Sequence, residues 1–212
     1  MIDFVIFDAD GVLFDSDASN VAYYNAIYAQ IGEAPLSRDE EMKTISYSTE
    51  QVFAMRARGD EGRLGAMKAV ARTLDPAPFF KLLQPPFELR PFMLEMRRRF
   101  RLGLATNRSA TVSALVEHLD LADIFDAIAC ARDRVRPKPA PDILNLCIER
   151  AAVKRERAVY VGDSTIDRVA AIEAGIHFIA VGPRVEHERR IATIAELPAA
   201  LDAMTAEPGA LD

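Results

Sequence analysis

Five short apolar runs set the terms for what this chain can fold into. FVIF (4–7), LGLA (102–105), AVYVG (158–162), HFIAV (177–181) and the weaker AIAC (127–130) are each bounded by polar or turn residues, and none alternates apolar with polar side chains. A strand that is apolar on both faces must be covered on both, which is the condition of a parallel sheet flanked by helices. The intervening segments supply those helices: 109–119 after Asn107, 140–152 after Pro139, 165–174 after Asp163, and 192–204 near the end. This alternation predicts an α/β fold, a doubly wound, Rossmann-like parallel sheet.

Residues 16–85 break the alternation. Val21, Tyr24, Tyr28 and Ile31 recur at helical spacing, 49–58 and 62–74 also read as helices, and no strand precedes RLGLAT. Gly32 and Pro35 punctuate the first helix, and QPPF (84–87) reads as a stiff return linker. The expected organisation is an α/β catalytic core from residues 1–15 and 86–212, with an all-helical insertion, 16–85, mounted on the loop after the first strand. The tail TAEPGALD (205–212) reads as frayed.

Half of the residues are hydrophobic and 27% are charged, an ordinary balance for a soluble globular chain. No apolar run approaches the roughly 20 residues of a membrane helix, and MIDFVIFD lacks the basic start and cleavage site of a secretory signal. A net charge of −6 argues against nucleic acid or an anionic membrane as partner. RRRFR (97–101) reads as the solvated cationic end of a helix. Cys130 and Cys147 have no metal-type spacing and make no disulfide framework, so both are expected reduced and buried in a cytoplasmic protein.

Ligands of open parallel sheets bind outside the carboxyl ends of the strands. The first strand is followed by Asp8 and Asp10, the second by Thr106 and Asn107, the fourth by Asp163 and, a turn later, Asp167. Lys138, in RPKPAPDIL, precedes the helix after the third strand. Two carboxylates about 4 Å apart repel by about 1 kcal/mol in water and about 4 kcal/mol at an effective dielectric near 20. A hard divalent cation such as Mg²⁺ reverses that repulsion, while Thr106, Asn107 and Lys138 supply donors for an anion. Acids with a metal on one side and donors on the other describe a phosphoryl-transfer pocket. Singly, each motif has a plainer reading as a cap or turn, and Asp15 and Asp17 are read that way. Four polar sets at the same end of different strands are hard to attribute to chance.

Taken in order, DADGVLFDSD (8–17), ATNRS (105–109), RPKPAPD (136–142) and VGDSTIDRVAAIEAG (161–175) resemble the haloacid dehalogenase-like superfamily, in its phosphoglycolate phosphatase and β-phosphoglucomutase branch. The resemblance implies that Asp8 is the nucleophile, forming an aspartyl-phosphate, and that Asp10 is the general acid and then base. It implies phosphate binding by Thr106 and Asn107, with Lys138 neutralising Asp8 and the transferring group. Mg²⁺ would be ligated by Asp8, Asp163 and the Asp10 backbone carbonyl, with Asp167 in support. Gly11 would allow the tight turn beyond the acid pair. The helical insertion would be the cap that closes over the substrate. The dehalogenases themselves need no acid at position 10, because a halide leaves unprotonated.

The expected activity is Mg²⁺-dependent hydrolysis of a small phosphorylated metabolite by a monomer or homodimer. The alternatives are a sugar-phosphate mutase, a phosphonate hydrolase and a phospho-acceptor domain. A phosphonate hydrolase needs a cap lysine, and Lys43, Lys68 and Lys81 each read as surface residues. Arg56 and Arg58 flank a helix end at Gly59; they read as a solvated terminus, or else one of them reaches a second anionic group on the substrate.

Overall fold

The structure, a computed structural model, describes residues 1–108 and 111–206. Its strands are β1 (Phe4–Phe7), β2 (Arg101–Thr106), β3 (Ala127–Cys130), β4 (Ala158–Gly162), β5 (His177–Val181) and β6 (Arg190–Ile191). They form one parallel sheet in the order β3-β2-β1-β4-β5-β6. This is the α/β, doubly wound architecture expected of the apolar runs. The two-residue β6 is too short to leave a pattern in the sequence, and only its pairing with β5 defines it.

The chain steps outward from β1 through β2 to β3, then crosses back to lay β4 on the other side of β1. That reversal opens a crevice between the carboxyl ends of β1 and β4. The side chains of β1 divide by parity, as strand geometry dictates. Val5 and Phe7 join Leu104 and Val161 in a core covered by α6 (Leu89–Arg97), α7 (Val112–His118) and α10 (Leu197–Ala206). Phe4 and Ile6 join Tyr160 in a second core covered by α8 (Asp142–Ala151) and α9 (Thr165–Ala174). No residue of β1 is left partly exposed.

Of the expected helices, 165–174 coincides with α9. The start expected at 109 falls partly on Ser109 and Ala110, outside the described residues; α7 begins at Val112. The last helix starts later than expected, at Leu197, because a 3₁₀ turn occupies 194–196. It continues through Thr205 and Ala206, two residues expected to be frayed, while 207–212 lie outside the described residues. Cys130 and Cys147 are both free and buried, and no helix among the described residues is long and apolar enough to cross a membrane.

Between β1 and α6 the chain makes only helices: α1 (Asp17–Gln30), α2 (Arg38–Ser46), α3 (Thr49–Ala57), α4 (Glu61–Thr73) and the short α5 (Ala77–Phe80). Tyr24, Ile27 and Tyr28 of α1 pack with Phe53 of α3 and Met67 of α4 in a core of their own. Ser37 and Ser48 begin α2 and α3 with reciprocal capping bonds to Glu40 and Gln51. The strands of chain leading in and out are tied together where Asp15 and Gln84 exchange backbone hydrogen bonds of 2.9 and 3.0 Å.

Arg56 corrects both readings made of it from sequence. Its guanidinium pairs with Glu33 (2.9 Å) and Glu40 (2.7 Å), donates to the Ala34 carbonyl (2.6 Å), and stacks 4.5 Å over the Tyr28 ring. It is neither a solvated helix end nor a group free for substrate: it ties the α1–α2 connection to α3. The plain reading of RRRFR holds better, since Arg97 to Arg99 close α6 on an exposed surface.

Candidate active site

Asp8 is the first residue past β1, and its N–H donates to the Val161 carbonyl (2.9 Å), extending the sheet ladder by one step. The carboxylate is thereby held at the rim of the crevice, largely buried. Gly11, three residues on, has φ +73°, and a Cβ there would lie 2.0 Å from Asp163 Oδ2. Only glycine lets the β1 loop come that close to the end of β4.

Lys138 is the node of the site. Only 2% exposed, its ammonium lies 2.9 Å from Asp8 Oδ1 and 2.6 Å from Asp167 Oδ1, and it donates to the Tyr160 hydroxyl at 2.6 Å. Its backbone is clamped by Asn107, whose Oδ1 accepts from the Lys138 N–H (2.8 Å) and whose Nδ2 donates to the Lys138 carbonyl (3.1 Å). One amide hydrogen of Asn107 remains for an anion. Thr106, buried at the end of β2, accepts from the Arg108 N–H at 3.2 Å. Asp167 sits in the first turn of α9, where Ser164 caps the helix and also donates to Asp167 Oδ2. Both Asp167 oxygens are therefore engaged: Oδ1 by Lys138 and Tyr160, Oδ2 by Ser164 and nearby backbone N–H groups.

The remaining two acids have arginine partners. Asp10 is held bidentately by Arg108, with both bonds at 2.6 Å, and the same guanidinium reaches Asn20 Oδ1 at 3.2 Å. Asp163 accepts from Arg184 at 2.9 Å, and Arg184 also bridges to Asp17 at 3.1 Å. Asp15 is a turn residue, accepting the Asp17 N–H at 2.9 Å, and Asp17 opens α1.

Burial dominates the electrostatics. It pushes the Asp8 carboxyl up to about 8: Lys138 opposes the rise, and the carboxylates of Asp167, Asp10 and Asp163 add to it. Burial, with repulsion from Asp167, likewise lifts Asp163 to about 6 against the pull of Arg184. For Lys138, burial favours the neutral amine, but Asp167 and Asp8 overrule it and keep it protonated. Burial would raise Asp10 too, yet the Arg108 fork holds it below the usual carboxylate value.

Asp8, Asp163 and Asp167 each offer an oxygen within 4.8 Å of the others, all three buried. Asp8 Oδ1 is in ion-pair contact with the Lys138 ammonium, 2.9 Å away. Three buried carboxylates this close repel one another, and a bound cation would relieve that repulsion. The donors are hard oxygens, so this buried acidic cluster can hold a hard metal cation.

The family model described as haloacid dehalogenase-like hydrolase matches residues 5–181. The chain belongs to the haloacid dehalogenase-like hydrolases. It is an enzyme, and its place is among the phosphatases of that family. A phosphoglycolate phosphatase of Cereibacter sphaeroides is 29% identical over 203 residues, covering 92% of this chain and 89% of that protein. The crystal structure of CbbY from Rhodobacter sphaeroides in complex with phosphate superposes with a TM-score of 0.77 at 27% identity, covering 95% and 100% of the two chains. A CbbY variant in complex with a xylulose bisphosphate gives a TM-score of 0.78 at 26% identity, covering 95% and 99%.

As a haloacid dehalogenase-like hydrolase, the chain adds groups that reading by motif did not assign. Arg108 lies inside the quoted ATNRS but had been given no role; Ser109 of that motif is outside the described residues. Arg184 follows β5, and the strand-end rule applied once more would have found it. Tyr160 gave no signal, because it reads as one more apolar residue of a buried strand. A cavity of about 400 Å³ opens from Asp8, Asp10 and Lys138 toward the helical segment, where α1, α3, α4 and α5 line it. Lys68, read as a surface lysine, is exposed but borders this cavity; neither Arg56 nor Arg58 does.

Proposed function

We propose that the chain is a Mg²⁺-dependent phosphatase that hydrolyses a small phosphomonoester, phosphoglycolate- or sugar-phosphate-like, through an aspartyl-phosphate on Asp8. The convergence of Asp8, Lys138 and Asp163 from three separate parts of the chain carries this reading. Residues 1–15 and 86–212 serve as the catalytic core and 16–85 as the cap. Two free buried cysteines suit the reducing cytoplasm.

An oxygen of Asp8 attacks phosphorus while Lys138, already beside it, offsets the charge of carboxylate and phosphate together. Thr106 and the spare amide hydrogen of Asn107 orient the phosphate oxygens. Asp10 protonates the departing alcohol, then takes a proton from the water that cleaves the phospho-enzyme. For the first of these steps Asp10 must carry a proton, so the Arg108 fork has to let go; the incoming phosphate is the anion that competes for that guanidinium. Mg²⁺, held by Asp8, Asp163 and the Asp10 carbonyl, would supply the positive charge that keeps Asp8 ionised beside a phosphate dianion. Asp167 keeps Lys138 in place.

Phosphate release from a panel of phosphoglycolate, sugar phosphates, nucleotides and pyrophosphate, with and without Mg²⁺, tests the proposal. Release should depend on Mg²⁺ and fall at least about a thousandfold in Asp8→Asn, with the circular dichroism spectrum unchanged. Appreciable turnover by that variant removes Asp8 as nucleophile. Isomerisation of a sugar phosphate without net phosphate release would favour the mutase.

A further inference from the structure

The catalytic end of the cavity is polar; toward the helical segment its lining mixes polar groups, Asn20, Thr49 and Glu50 among them, with an aromatic cluster. Tyr23 of α1, Phe53 of α3 and Phe79 of α5 face the cavity from the helical segment. Tyr23 and Phe79 meet edge to face, with centroids 5.5 Å apart and planes at 84°, and Tyr24 closes on Tyr23 at 5.6 Å and 73°. Tyr23 and Phe79 are only partly buried, so the right-angled corner they form leaves ring surface open to the cavity.

Such a corner is a poor match for the smallest phosphate esters. A two-carbon acid has almost no apolar surface to lay on it, and a sugar, though its C–H face can pack on one ring, brings no π-face for the second ring to meet. A planar ring loses nothing there: one aromatic can stack on its face while the other meets its edge. Size points the same way, since about 400 Å³ lies within the roughly 300–1,000 Å³ of sites that enclose drug-sized ligands. Lys68 and Arg72, one turn apart on α4 and in no ion pair among the described residues, line the cavity together with Glu50 of α3, so its charge does not select the shape of the ligand.

We infer that the favoured substrates of this site are phosphomonoesters whose alcohol carries a planar unsaturated ring, seated in the Tyr23–Phe79 corner. The inference rests on the phosphatase reading above and replaces its phosphoglycolate- or sugar-phosphate-like substrate class with a ring-bearing one.

Two measurements on the full chain with Mg²⁺ test it. The first compares kcat/KM for pyridoxal phosphate, flavin mononucleotide and nucleoside monophosphates with that for phosphoglycolate and glucose phosphate. At least one ring-bearing ester should lead by about tenfold or more, and Phe79→Leu and Tyr23→Leu should each cut that ratio by about tenfold, mainly through KM. Phe79→Tyr should restore it. Preference for phosphoglycolate, or Leu variants that lower all esters alike, would overturn the inference; the latter would make the corner a seal between core and helices. The second measures binding of the same esters to Asp8→Asn, where the ring-bearing ones should bind about tenfold tighter. If they do while the wild-type protein releases no phosphate from any ester, the phosphatase reading fails and the ring pocket stands; equal binding overturns the ring pocket alone.

Discussion

At the level of single residues, the site is a set of buried charges that balance only as a group. Lys138 serves Asp8 and Asp167 at once, so its removal leaves two carboxylates in low dielectric without their cation. Breaking a buried pair from one side typically costs about 3–5 kcal/mol. Lys138→Met, which keeps most of the side-chain volume, should therefore lose both activity and stability of about that size, read from the urea midpoint in metal-free buffer. Unchanged stability would mean that water already screens this cluster. Gly162 is constrained by the same crowding: a Cβ there would lie 2.5 Å from Cβ of Asp167, so the end of β4 has room for the acid only because the strand closes on a glycine. Asp8, Asp10, Asp163 and Lys138 could be picked out in the sequence because each stands next to a recognisable strand or helix boundary. The arginine that holds Asp10 could not. The Arg108–Asp10 fork joins residues 98 positions apart, and no local pattern records a pairing made through space.

Among the elements, the helices from α1 to α4 are held by more than their apolar core. Arg56 and Arg63 both bind Glu33, and Arg56 binds Glu40, which is also half of the α2 capping box. Burial would raise Glu40, but the bonds from Arg56 and Ser37 win and bring it down to about 2. A carboxylate depressed in the folded state adds stability above its unfolded value, near 4.5, and loses it as pH falls through the folded one. Between about pH 4.5 and 2, unfolding of the helical segment should therefore steepen, and Glu40→Gln should flatten that part of the stability curve while leaving neutral pH less stable than wild type. Melting temperatures of the two proteins across this range check it; parallel curves would show that Glu40 does not couple to folding. From sequence, Arg56 read as a helix terminus because Gly59 follows it so closely. It belongs instead to an ion cluster, since the chain turns after Gln30 and brings Glu33 across to α3, a tertiary event invisible to helical periodicity.

In the molecule as a whole, core and helical segment share one cavity, and the charge that would complete it comes from outside the chain. A ligand that binds only the folded state stabilises by RT ln(1 + [L]/Kd), about 2.7 kcal/mol at a hundredfold excess over Kd. Mg²⁺ should raise the melting temperature accordingly, and Asp163→Asn should abolish the rise. An equal rise in wild type and variant would place the ion elsewhere.

The sequence alone determined the α/β class, five of the six strands of the sheet, down to the weak AIAC run, and the end of the sheet where Asp8, Lys138 and Asp163 gather. Those properties follow from local facts, because burial on both faces leaves an unbroken apolar run and the chain must turn polar where a strand ends. Tertiary structure alone decided that Arg108 answers Asp10 and Arg184 answers Asp163, that Arg56 serves the scaffold, and that an aromatic corner lines the same cavity as Asp8 and Asp10. Each of those depends on the distance between residues far apart in the chain, a quantity that exists only once the backbone has closed on itself.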